Sequence, residues 1–207
     1  MSTTLQVYPR SSKAPSFQEV LELASIRTHQ QLLARGVAVR PNLTVSLRSN
    51  ETHEVLPLDL SSPAKWGTSE YAWFAVDGVP GGTDVSCWLV ESDELEYWEL
   101  LTSEHPPAIA VRNEVLACLS SGVCWSFRRS AGQPAVIAFV YGILAAAMAE
   151  LTDGFVFSDD SAWEYARFPA KAHEVYDWYF NPEKALDPKF AKWANECLAA
   201  ISNAAGA

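Results

Sequence analysis

The sequence predicts an α+β fold in which a mostly antiparallel sheet is covered by helices, one of them a buried central helix. Three observations carry that expectation. Short alternating segments pair across turn residues, capped segments of helical period stand between them, and Pro134 to Ala149 is apolar on every side. A chain of 207 residues with no linker rich in Pro, Gly or Ser reads as one domain, residues 1–207. At that length about 70% of the unfolded chain's surface is buried on folding, so a real core is expected.

Met1 to Arg10 lack the basic, apolar and small-residue regions of a signal peptide. The first strong element follows them, a helix from about Ser16 to Arg35. Ser16-Phe-Gln-Glu19 is a capping box and Gly36 suits the position after the helix, with Val20, Leu23, Ala24, Ile26 and Leu33 expected to pack inward. Leu43–Arg48 alternates as a strand, and a second strand near Glu54–Leu58 returns after the turn residues Ser49-Asn50-Glu51. Tyr71–Val76 and Asp84–Val90 form the clearest hairpin, joined by Asp77-Gly-Val-Pro-Gly-Gly82.

An acidic helix follows from Asp93 to Leu101, with Leu95, Trp98 and Leu101 as its apolar stripe. A helix at Ala108–Ser120 leads into Val123–Arg129, where Val123, Trp125 and Phe127 alternate as in a half-buried strand that Arg128 and Arg129 close. The central helix spans Pro134–Leu151, Phe155–Phe157 is a short strand, and Ser161-Ala-Trp-Glu164 repeats the capping-box pattern. Helices at Ala170–Phe180 and Asp187–Ser202 complete the fold, and Asn203 to Ala207 should fray.

Little in the sequence points to chemistry. The histidines at 29, 53, 105 and 173 show no metal-ligand spacing, and no G-x-S-x-G elbow is present, so neither a metal nor another cofactor is expected. Cys87, Cys118, Cys124 and Cys197 contain no C-x-x-C pair and read as free thiols of the reducing cytoplasm. The glycines of 78–82 lack the P-loop lysine and the Rossmann spacing. Asp153, Asp159, Asp160 and Glu164 could do acid/base work or hold a hard cation, but a solvated turn leading to a Ser161 cap explains Asp159 and Asp160 better.

Charge is more informative. A formal charge of −10 argues against nucleic acid and anionic membrane as direct ligands and favours a basic partner. The longest apolar run falls short of the roughly 20 residues needed to span a bilayer. Glu91–Glu104 holds six acidic residues and Glu150–Glu164 five, neither with a basic one. Adjoining in space, they would form one negative surface. Of the eight tryptophans, Trp73, Trp88 and Trp125 fall on expected strands as core residues, whereas Trp66 and Trp163 sit in loop or cap contexts suited to exposure and to anchoring an interface.

Cys124-Trp-Ser-Phe-Arg-Arg-Ser-Ala-Gly-Gln-Pro134, Ala149-Glu-Leu-Thr-Asp-Gly154 and Phe157-Ser-Asp-Asp-Ser-Ala-Trp163 resemble the C-terminal half of bacterial immunity proteins that accompany polymorphic or type VI secretion toxins. The resemblance covers about Val123 to Phe180 and is greatest to the families paired with restriction-endonuclease-like nuclease toxins. It implies a cytoplasmic protein without chemistry of its own, which binds a cognate, basic protein toxin and blocks it by contact. On that reading Asp93, Glu94, Glu96, Glu99, Asp159, Asp160 and Trp163 lie at the interface. Two other classes stay open: a small hydrolase or transferase with a composite site from Asp159, Asp160, Glu164 and His173 or Arg128, and a self-assembling structural module.

Overall fold

The computed structural model describes residues 2–205. In chain order its elements are β1 (Ser2–Tyr8), α1 (Phe17–Ala34), β2 (Leu43–Ser49), β3 (Val55–Leu56), β4 (Glu70–Val76), β5 (Thr83–Leu89), α2 (Ser92–Glu104), α3 (Pro106–Ala110), α4 (Arg112–Leu119), β6 (Val123–Ser130), α5 (Ala135–Leu151), β7 (Phe155–Phe157), α6 (Ala172–Trp178) and α7 (Pro188–Ala205). Among the described residues, seven strands form one open sheet in the order β3-β2-β4-β5-β6-β1-β7, and every neighbouring pair is antiparallel. The fold class expected from sequence is the one observed.

Alternation along the strands gives the sheet two faces of different character. Leu5, Val7, Phe74, Val76, Val85, Trp125 and Phe127 are buried, and α1 and α5 pack on that side. The central helix α5 is buried continuously from Ile137 to Ala149, because α1, α6 and α7 also pack against it. No helix among the described residues is long and apolar enough to cross a membrane. The opposite face carries Thr4, Gln6, Arg48, Trp73, Asp84, Ser86, Trp88, Ser126 and Arg128, and among the described residues it is covered at its β1/β7 end by α2 and by Tyr165.

Several local expectations are corrected. The first ten residues suggest no element, yet Ser2–Tyr8 is a strand one in from the β7 edge of the sheet, paired through Val7↔Trp125 on one side and Val7↔Val156 on the other. The capping box at Ser16 is present, and Gly36 takes φ +77° after the helix. The inward row of α1 is Val20, Ala24, Thr28 and Leu32 rather than the wider set expected, and Ile26 and Leu33 are exposed. That row repeats every four residues and includes small side chains, which lets α1 sit close on its neighbours.

The expected helix 108–120 is two helices, broken at Val111 with φ −118°. Leu95 of α2 is exposed, while Trp98 and Leu101 are buried. Residues 123–127 are buried on both sides rather than alternately, since α5 covers one face and α2 the other at that end. The terminal arginines of β6 diverge. Arg128 reaches the open face and pairs with Asp84 at 3.0 Å, whereas Arg129 is buried between the rings of Tyr141 and Trp193. Helix α7 continues through Asn203 to Ala205, where fraying was expected, and Gly206 and Ala207 lie outside the described residues.

The largest correction concerns Trp163. Ser161 adopts φ +69° and starts no α-helix; only a 3₁₀ turn at Tyr165–Arg167 follows. The chain therefore turns inward, and Trp163 is 1% exposed, packed among Tyr179, Phe180, Phe190 and Trp193 at centroid distances of 5.0 to 5.8 Å. Glu164, also buried, accepts from Arg167 Nε at 2.8 Å and from the Asp187 amide at 2.7 Å instead of closing a capping box. Trp163 thus joins α7 to the Tyr179–Phe180 end of α6 and cannot anchor a surface contact.

Candidate functional site

Helix α2 crosses the open face of the sheet at its β1/β7 end, and one side chain holds it there. Trp98 is fully buried against Tyr8, Phe155 and Phe157, with ring centroids 5.3, 5.2 and 4.6 Å away. Those aromatics project from the open face of β1 and β7 because they alternate with Val7 and Val156, which point into the core. The helix stands over this aromatic floor as a wall, and between the wall and the neighbouring strands lies a groove of about 690 Å³.

The groove's chemistry is one-sided. Glu91, Asp93 and Glu94 line it from the start of α2, Asp159 and Asp160 line it from the turn after β7, and among the described residues no Lys, Arg or His contributes. The two acidic segments recognised in the sequence therefore adjoin. Its floor is Thr4, Gln6, Ser126 and Trp88, and Tyr8 and Tyr97 stand at its wall. Glu94 accepts a short hydrogen bond from Tyr8, Asp159 accepts from Tyr97 at 3.2 Å, and Asp160 accepts from Ser158 at 3.0 Å. Burial raises the Tyr8 phenol far above its ordinary range, with the Cys124 and Glu94 sites adding to the effect. Burial likewise raises that of Tyr97, with Asp159 adding to it. Both phenols stay protonated and serve as donors that fix the carboxylates.

Of the interface residues expected from sequence, Asp93, Glu94, Asp159 and Asp160 come together here. Glu96 and Glu99 are exposed on other sides of α2, outside the groove, and Trp163 is in the core. Sequence reasoning missed Glu91, Tyr8, Tyr97 and Trp88 as groove residues. Trp73 and Trp88, expected in the core, are half-buried on the open face, while Trp125 is fully buried and Trp66 is half-buried against Phe17. The signal for Trp88 was available: Trp88, Ser86 and Asp84 alternate with the buried Cys87, Val85 and Thr83.

The composite acidic site does not assemble. Glu164 is committed inside the core, Arg128 is paired with Asp84, and His173 lines a separate cleft with Arg35, Tyr176 and Asp177. Among the described residues no group of three or more His, Cys, Asp and Glu side chains could hold a metal ion. All four cysteines are buried, and burial pushes each thiol upward, that of Cys197 to about 11, so each is protonated at neutral pH.

Compared with known protein families, with curated proteins and with solved structures, the chain matches none.

Proposed function

We propose that this protein acts by binding another protein, as the cytoplasmic immunity partner of a basic bacterial toxin, which it neutralises by contact and without chemistry of its own. The observation that carries the reading is the groove: five carboxylates converge in it, with no Lys, Arg or His in its lining among the described residues. Such a surface raises the encounter rate with a positively charged partner and covers that partner's cationic substrate-binding region. The resemblance of residues 123–180 to immunity proteins supports the toxin as the partner's class, and the net charge of −10 agrees in sign.

Co-expression in a surrogate bacterium tests the proposal. The larger product of the adjoining gene should arrest growth alone, and this protein should restore it. Growth arrest that persists despite equal expression of both chains would remove the immunity reading.

A further inference from the structure

Among the described residues, no helix packs on the part of the open face formed by β2, β4 and β5. Register places one rung across it, Ser46↔Trp73, Trp73↔Asp84, Asp84↔Arg128 and Arg128↔Thr4, and Thr4 is the residue at which this rung enters the acidic groove. Antiparallel sheets often leave one face to solvent, so openness alone carries nothing. What distinguishes this face is its pair of half-buried tryptophans. Trp73 packs so closely over Gly82 that a Cβ there would lie 2.7 Å from the ring, and the Arg48 guanidinium sits 5.3 Å from its centroid on the same face. Trp88 forms part of the groove itself.

Resting on the reading of the groove as a protein-binding site, we propose that the uncovered face and the groove form one docking surface for a cationic segment of a protein partner. Its Arg or Lys side chains enter between Trp88 and Tyr97 toward Glu94 and Asp159, and its apolar side chains lie on Trp73 and Trp88. Charge complementarity in the groove fixes the sign of the occupant: Trp88 and Tyr97 beside five carboxylates suit a guanidinium or ammonium group, whereas on the uncovered face Asp84 is already paired with Arg128 and Trp73 with Arg48, which leaves that face to the apolar side chains. Size argues for a protein rather than a small polycation. Three uncovered strands, β2, β4 and β5, at about 4.8 Å spacing and over about five residues each, give a footprint on the order of 250 Å². That is about a third of the ~800 Å² each partner contributes to a standard interface, so the occupant must also engage the groove, α2 and the Asp159–Asp160 turn. Rigid aromatic anchors next to charge are the usual centre of such contacts.

The test uses the full chain with ¹⁵N-labelled indoles, the Trp73 and Trp88 signals being assigned from W73F and W88F. The probe is a ten-residue peptide alternating arginine and valine, with its glutamate counterpart and spermine as comparisons. The arginine peptide should move the Trp73 and Trp88 signals and leave those of the buried Trp98, Trp125 and Trp163 in place. Its affinity should fall at least about fivefold in E91K/D93K, whose helix content is checked by circular dichroism. Unmoved Trp73 and Trp88 signals, equal binding of the glutamate peptide, or spermine binding as tightly as the arginine peptide would each overturn the proposal. Failure here is separable from failure of the immunity reading. A toxin that is neutralised in cells while its complex leaves Trp73 and Trp88 unmoved sinks this surface only, and a face that binds the arginine peptide in a protein that protects no cell sinks immunity only.

Discussion

Substituting Gly142 by alanine places a methyl group where the fold has put an aromatic ring. A Cβ at Gly142 would lie 2.2 Å from Cε1 and 2.3 Å from Cζ of Tyr179. Carbon atoms rest about 3.5–4.0 Å apart, so the ring has to retreat by more than about 1 Å. It has nowhere to go. Its hydroxyl donates to the Ala138 carbonyl at 2.8 Å, its ring packs on Phe180 and Trp163, and its own carbonyl accepts from Arg35 at 2.7 Å. Alanine gains about 1 kcal/mol of helix propensity over glycine. Overpacking a filled core costs about 1–3 kcal/mol, and stranding the buried hydroxyl costs about 1–3 kcal/mol more. The net is a loss of about 3 kcal/mol, which lowers Tm by about 6–12 °C in a chain of this size. Urea unfolding should show the loss as a lower midpoint with an unchanged slope. The control is the Y179A background, where the ring is gone and G142A should be neutral or stabilising. If G142A stabilises the natural protein, or has the same effect in both backgrounds, Tyr179 is not seated on α5 and the packing described for α6 and α7 is wrong.

Three further outcomes follow from named contacts. Arg35 donates to the carbonyls of Gln31, Tyr176, Tyr179 and Phe180 and to the Gln31 side chain, tying the end of α6 to α1. Burial lowers its pKa to about 10, still charged at neutral pH. R35M keeps the stem, strands those acceptors, and should cost about 2–5 kcal/mol in urea unfolding, a change below about 1 kcal/mol contradicting the assignment. Hydrogen bonding from Arg27, aided by Tyr176, holds the Glu150 carboxyl below its ordinary 4.5. A depressed folded value means that this stabilisation is present above pH 4.5 and lost as pH falls through the folded value; E150Q should therefore be less stable at pH 7 and lose less on acidification to pH 3, and an unchanged acid slope would speak against it. A Cβ at Gly82 would lie 2.5 Å from the Phe74 carbonyl oxygen and 2.7 Å from Trp73, so G82A should cost about 1–3 kcal/mol and shift the Trp73 indole signal, whereas an unmoved indole would contradict the packing.

What the sequence made legible was what depends on near neighbours. The Ser16 cap, the β4–β5 hairpin and the apolar girth of α5 are written in consecutive residues, and each appears where it was expected. Strand β1 was hidden because both its partners, β6 and β7, lie more than a hundred residues away, although Leu5 and Val7 do alternate with Thr4 and Gln6 as in a strand. Trp163 was misplaced because Ser161-Ala-Trp-Glu164 has the letters of a capping box while Ser161 takes a left-handed backbone that turns the next residues inward. The two acidic stretches were visible as composition. Their meeting depends on Trp98 clasping Tyr8, Phe155 and Phe157 from across the sheet, which is tertiary packing with no local signature.

The proposed toxin-binding role is tested most directly by affinity capture from the source organism under expression of the adjoining gene, with the tagged natural chain and E91K/D93K run side by side and the bound proteins identified by mass spectrometry. A near-stoichiometric basic toxin domain is expected on the natural chain after a moderate salt wash, and its loss from the variant. Recovery of the tagged protein alone, with the neighbouring product present in the lysate, would contradict the claim that this protein works by binding a toxin.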